Sequence, residues 1–246
     1  MSSLAIQRLE SLLQTRKLDT TVVSAWTRGG EVLPTGIELV DTRLGGGWPH
    51  GEISELIGGR SSGRTSILMA TLAVATRCGG MVGLVDAFDR FDPLTAARAG
   101  LDLDLVLWVR GPSLMLEGLR KFGSGASVDR AVLNAIRAFD LIVRAGGFAV
   151  AALDLTDVPA RCLSALPLAT WLRLAHANEG RETVCVLMSD RSIGRSARGV
   201  SLRLDARPRW SGTHAQSRRF AGFDIRMQSA SASLALSSSG GRSAAL

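Results

Sequence analysis

The sequence predicts an α/β fold: a largely parallel central sheet flanked by helices, with antiparallel edge strands late in the chain and a helix–strand element in front. Three observations carry this expectation. From Ile53 onward short apolar runs alternate with helical stretches, as in strands joined by crossover helices and buried on both faces. After residue 199 the pattern becomes a period-two alternation, in residues 200–204 and 220–227, which fits antiparallel edge strands. Of 246 residues, 46% are apolar and 21% charged, enough for a substantial core and too apolar for wholesale disorder.

Residues 3–18 place Ile6, Leu9 and Leu13 at helical spacing behind Ser2 or Ser3 as N-cap. That helix is short and polar on its other face, so it needs a surface to lie on. Val22 and Val23 belong to a strand over residues 20–26, closed by Arg28-Gly29-Gly30. A short helix follows within 34–46, then a buried strand at 53–57 and a helix at 65–77 ended by Cys78-Gly79-Gly80. A strand at 81–85 ends on Asp86, a helical turn spans 94–99, and a strand spans 105–109. Asp129 is expected to cap a helix reaching Arg144, apolar at Val132, Ile136, Phe139 and Val143 and stopped by Gly146-Gly147. A strand at 148–153 ends on Asp154, and a helix at 166–178 and a strand at 183–188 complete the series. Residues 111–128 stand out as an insertion with a short helix and a Gly/Ser turn. Residues 229–246 are Ser/Ala/Gly-rich and expected to be a disordered tail. The expected division is 1–30 as a docking element, 31–228 as the core, and 229–246 as the tail.

Formal charge is +7 and the isoelectric point near 10.7, which suits nucleic acid, an acidic protein, or simply a solvated basic surface. Of 29 basic residues only Lys17 and Lys121 are lysine. Cys78, Cys162 and Cys185 are odd in number and widely spaced, fitting reduced thiols better than disulfides or metal ligands. His50, His176 and His214 are equally scattered, so no metal site is expected. The start, MSSLAIQRLE, lacks the basic-then-apolar order of a signal peptide. The apolar run 67–75 is too short to span a bilayer. A cytoplasmic protein without membrane contact is expected.

The stretch GGRSSGRTS at 58–66 joins the strand at 53–57 to the helix after it. Gly58, four residues, then Gly63-Arg64-Thr65 has the spacing G-x-x-x-x-G-K-[ST], with arginine for lysine. A strand, a glycine turn and a helix N-terminus form an anion site, because unpaired N–H groups and the helix dipole converge there. Thr65 or Ser66 would ligate magnesium in such a site.

Residues 33–66, LPTGIELVDTRLGGGWPHGEISELIGGRSSGRTS, resemble the RecA recombinase core, as do VGLVDAFDRFDP at 82–93 and GFAVAALDL at 147–155. The resemblance implies a RecA-like P-loop core, a helix–strand front end that docks on a neighbouring subunit, and a Walker B carboxylate at Asp154. It also implies a catalytic glutamate where Phe88 stands, and a ring cannot orient water or accept a proton. Arg64 keeps the positive charge, though a guanidinium is bulkier than an ammonium. Asp89, one residue past Phe88, is the weaker substitute base. Asp190 falls where the family has a phosphate-sensing glutamine, and is expected to be a surface loop residue. Trp48, Trp26 and Trp108 are expected to pack in the core.

The two loops matching RecA's DNA-binding loops are short, 156–161 and 191–199, and the second holds Arg191, Arg195 and Arg198. Between Arg191 and Arg226 nine arginines face two aspartates. Arg207-Pro208-Arg209-Trp210 and Arg218-Arg219-Phe220 mix guanidinium with aromatic faces, suited to phosphate contact and base stacking, or to guarding a sheet edge. Together with LWVRG (107–111) and RAGGFAVAALDLTDV (144–158), the pattern is most similar to the ImuA family of bacterial mutagenesis cassettes. That resemblance implies a non-hydrolysing adaptor in SOS-induced error-prone translesion synthesis, binding RecA and the inactive polymerase-like ImuB, with single-stranded DNA as a further partner. No cofactor is expected; ATP with magnesium bound without hydrolysis stays open. A divergent DNA-stimulated ATPase and an SOS cell-division inhibitor are the alternatives.

Overall fold

The computed structural model describes residues 31–112, 125–212 and 219–230. In chain order its elements are β1 (Val32–Leu33), α1 (Glu38–Leu44), β2 (Trp48–Pro49), β3 (Ile53–Gly58), α2 (Arg64–Arg77), β4 (Val82–Asp86), α3 (Pro93–Arg98), β5 (Val106–Arg110), α4 (Gly125–Ala145), β6 (Val150–Asp154), α5 (Ala160–Ser164), α6 (Leu168–Asn178), β7 (Val184–Ser189), β8 (Ser201–Ser211) and β9 (Arg219–Ala230). β1 and β2 form a small antiparallel ribbon. The main sheet has seven strands in the order β5-β4-β6-β7-β3-β8-β9. All neighbours in it are parallel except β8 and β9.

The strands alternate their side chains between two cores. Leu56, Leu84, Ala152 and Val186 pack with Leu68 and Leu72 of α2 on one face. Val85, Ala151, Leu153 and Leu187 pack with Phe139 of α4 and Trp171 of α6 on the other. Both faces being covered explains why β6 and β7 read as near-continuous apolar runs and why even Ser54 and Glu55 of β3 are buried. Trp48 is fully buried, and its indole N–H donates to Thr71 Oγ1 of α2 at 3.1 Å. Trp108 packs against the same core and is half-buried, because β5 is an edge strand. Trp26 lies outside the described residues. No helix among the described residues is long and apolar enough to cross a membrane.

The antiparallel strands expected after residue 199 are present as β8 and β9, while three details need correction. β9 alone is the edge, since β8 is antiparallel to β9 on one side and parallel to β3 on the other. Alternation reports one buried face, here Leu202 and Leu204, and is blind to a neighbour's direction. Helix α4 starts at Gly125, not after Asp129, since an Asp that suits an N-cap is also tolerated in a helix's first turns. The expected insertion at 111–128 therefore gives its last four residues to α4, while 113–124 lie outside the described residues. The expected tail gives Ser229 and Ala230 to β9; the rest of it, and Ile6, Leu9, Leu13, Val22 and Val23 of the front element, also lie outside.

Candidate phosphate-binding site

Parallel strands bring their C-terminal ends to one edge, and the loops leaving those ends build the site. β3 ends on Gly58, β4 on Asp86, β6 on Asp154 and β7 on Ser189. Register places Asp86 beside Asp154, and Ile57 beside Ser189. A cavity of about 520 Å³ opens there, lined by the turn Gly59–Gly63, by Arg64, Thr65 and Ser66 of α2, and by Asp86, Arg90, Asp154 and Asp157 among others. Gly58 and Gly63 are required for different reasons. A Cβ on Gly58 would meet Ser62 Oγ at 2.3 Å, whereas Gly63 caps α2 at φ +91°. Ser61 and Asp157, both at the cavity, are non-glycine residues with positive φ, at +59° and +60°. Ser62 Oγ is buried with no hydrogen-bond partner among the described residues.

Charge at the cavity is closely matched. Arg64, 5% exposed, forms an ion pair with Asp190 and donates to Ser189 O at 3.5 Å. Asp190 also accepts the Asp157 N–H at 3.1 Å. The Asp157 carboxylate in turn holds Arg60 at 3.2 Å and Arg90 at 2.7 Å. Asp190 is a partly exposed residue of the loop after β7, and beyond what the sequence suggested it is tied to the buried Arg64, 126 positions earlier. Asp86, 1% exposed, accepts the N–H groups of Phe88 at 3.3 Å and Phe91 at 2.7 Å. Asp154 accepts the Thr156 N–H at 2.8 Å. Burial pushes the Asp154 carboxyl up to about 6; hydrogen bonding by Thr156 opposes the rise, Asp86 adds to it, and Arg64 opposes it. Thr65, Ser66, Asp86 and Asp154 suit a magnesium–nucleotide. The three guanidinium groups of the lining, each already held by a carboxylate, do not fit its phosphates.

Phe88 is 3% exposed and packs in the core with Val85 and Phe139, outside the cavity lining. Asp89, at φ +56°, is gripped on both oxygens by Arg110, at 2.8 and 2.9 Å. That guanidinium holds Asp89 below the usual carboxylate range and lies over the Trp108 ring at 4.4 Å.

The arginines expected to face nucleic acid or an acidic partner separate into two groups. In the loop 191–199, Arg195 donates to the carbonyls of Ser196, Ala197 and Gly199. Arg198 pairs with Glu52 at 2.8 Å, and Arg191 is exposed. The loop is held down by Glu55, 1% exposed, which accepts from Ser192 Oγ, Ile193 N, Gly194 N and Ser201 Oγ at 2.6–3.1 Å. Sequence reasoning missed Glu55; its one signal is a charge inside an otherwise buried strand. Arg207, Arg209 and Arg219 are exposed on the part of the β8–β9 hairpin beyond Leu204, where β8 no longer pairs with β3. Arg209 donates to Ala221 O, and Arg207 lies 3.8 Å from Asp205. Arg218 lies outside the described residues.

The RecA N-terminal domain family model matches residues 18–140, half of the 246-residue chain. The chain belongs to that family. Protein RecA of Prochlorococcus marinus (strain MIT 9303) is 36% identical over 111 residues, covering 44% of this chain and 29% of that one. Protein RecA of Symbiobacterium thermophilum is 42% identical over 78 residues, 31% of this chain and 22% of that one. The chain thus spans less than a third of the length of these two relatives. The crystal structure of the RadB recombinase aligns with a TM-score of 0.49 and 20% identity, covering 72% of this chain and 85% of that one. The matched region of the RecA family contains the phosphate cradle, Asp86 and Phe88.

Proposed function

We propose that this RecA-family chain is a non-hydrolysing adaptor, of the ImuA kind, in SOS-induced translesion synthesis in the bacterial cytoplasm. The observation that carries it is the position of Phe88: a core side chain stands where the family resemblance implies a water-orienting carboxylate. Asp89, the neighbouring carboxylate, is committed to Arg110. A general base is worth roughly 10²–10⁴ in rate, so its loss supports binding rather than turnover. RecA is the first partner, docked through the front element with Ile6, Leu9, Leu13, Val22 and Val23. The polymerase-like ImuB or single-stranded DNA meets the arginine-rich hairpin. Removal of residues 1–26 is expected to abolish co-purification with RecA while leaving the melting profile of the core intact; undiminished RecA binding by the truncated chain refutes the docking.

A divergent DNA-stimulated ATPase is the second reading, favoured by the placement of Thr65, Ser66 and Asp154 in the lining of one cavity.

A further inference from the structure

A site for a polyphosphate needs cations whose charge is free to meet the ligand. Three guanidinium groups line this cavity, Arg60, Arg64 and Arg90. Asp157 holds Arg60 and Arg90, and Asp190 holds Arg64. The two carboxylates are linked to each other, since the Asp157 N–H donates to Asp190 Oδ2 at 3.1 Å. Asp86 and Asp154, in the same lining, add two more acidic side chains. Arg64 is the deepest of the three cations, 5% exposed at the first position of α2, while Arg60 is largely open to solvent. Solvent screens the Arg60 pair and leaves the Arg64 pair strong.

We infer that Asp190 is a built-in anion: standing outside the cavity lining, its carboxylate claims the Arg64 guanidinium, leaves the cradle without its deepest free cation, and so excludes nucleoside polyphosphates from the cavity. An incoming triphosphate has to draw Arg64 away from Asp190, which leaves that carboxylate without its cation. Arg64 is buried while Asp190 is partly exposed, and a buried charge that loses its partner is left uncompensated, so Arg64 without Asp190 is a strong anion receptor. The unpartnered hydroxyl of Ser62, buried in the same turn, is available to the arriving oxygen. The inference deepens the reading of a chain that does not turn nucleotide over, and rests on that reading. It adds the reason that the loop does not need a nucleotide to be ordered: the bond that links α2 to the end of β7 is internal.

The test is titration calorimetry on the full chain with ATP, ADP and pyrophosphate, in magnesium, for the native protein and two variants. The native chain is expected to bind ATP with Kd above about 1 mM. Asp190→Asn keeps an acceptor for the Asp157 N–H but frees Arg64, and is expected to tighten ATP and pyrophosphate binding by about tenfold or more. The double variant Arg64→Met with Asp190→Asn is expected to show no such gain. If Asp190→Asn is too unstable to titrate, 10 mM pyrophosphate is expected to raise its melting temperature and leave that of the native chain unchanged. Native binding of ATP in the micromolar range, or a folded Asp190→Asn that gains nothing, overturns the inference. So does an equal gain in the double variant, or an unstable Asp190→Asn that pyrophosphate does not rescue. Tight native binding without turnover defeats this inference and leaves the adaptor reading standing; native turnover defeats the adaptor reading.

Discussion

Asp154 and Phe88 stand one strand apart at the same sheet edge, and burial acts on them in opposite ways. Burial raises Asp154 to about 6, while an unfolded aspartate titrates near about 3.9. Between these values the folded chain keeps a proton that the unfolded chain releases, so this group favours folding below about pH 4 and its contribution is lost as pH rises through about 6. Two units correspond to roughly 3 kcal/mol. Asp154→Asn removes the ionised form, so its stability relative to the native chain should rise by about that much between pH 4 and pH 7.5. Urea titrations at both pH values check this; an equal difference at both contradicts it. Phe88 tests the converse. Phe88→Glu places a carboxylate among Val85, Phe139 and their neighbours and should destabilise the fold by roughly 3–5 kcal/mol, the range for an uncompensated buried charge. Urea denaturation measures that loss, and full stability would mean that residue 88 reaches solvent.

At the scale of elements, much of the sheet was legible and its fastenings were not. Strands β4, β6 and β7 declare themselves by apolar runs, and β3 and helix α2 by the apolar residues on either side of a glycine turn, which are local signals. The parallel partner of β8 was not legible, because alternation records burial and not neighbour direction. Nor was the fastening of the loop 191–199, whose arginines suggested a ligand. Its hydrogen bonds run to Glu55 across 137 or more positions, and no local pattern carries such a link. The Arg64–Asp190 pair was hidden in the same way, although both residues were singled out separately. Glu55→Gln leaves one oxygen for the N–H groups of Ile193 and Gly194 but replaces the oxygen facing the Ser192 and Ser201 hydroxyls by a donor. It also removes the charge that strengthens all these bonds, at about 1–3 kcal/mol. The expected outcome is faster hydrogen exchange of amides 192–194, with the α4 amides protected as before; unchanged exchange at 192–194 contradicts Glu55 as the anchor.

Over the whole molecule, the chain keeps a RecA-family sheet whose C-terminal edge forms a cavity, and fills that edge with pairs of its own charges. Two apolar cores cover both faces and fix the strand ends, so the cavity's geometry follows from the fold and not from a ligand. Beyond Leu204 the arginine-rich β8–β9 pair no longer has β3 beside it and exposes Arg207, Arg209 and Arg219, which suits a surface offered to partners. On the adaptor reading we propose, such an arrangement binds through its surfaces and does no chemistry in its cavity. The direct measurement is phosphate release from ATP by the full chain, with magnesium and single-stranded DNA, beside Asp154→Ala. The expected result is release no faster than without protein, identical for both chains; release above that background that disappears in Asp154→Ala would show a working ATPase and contradict the adaptor reading.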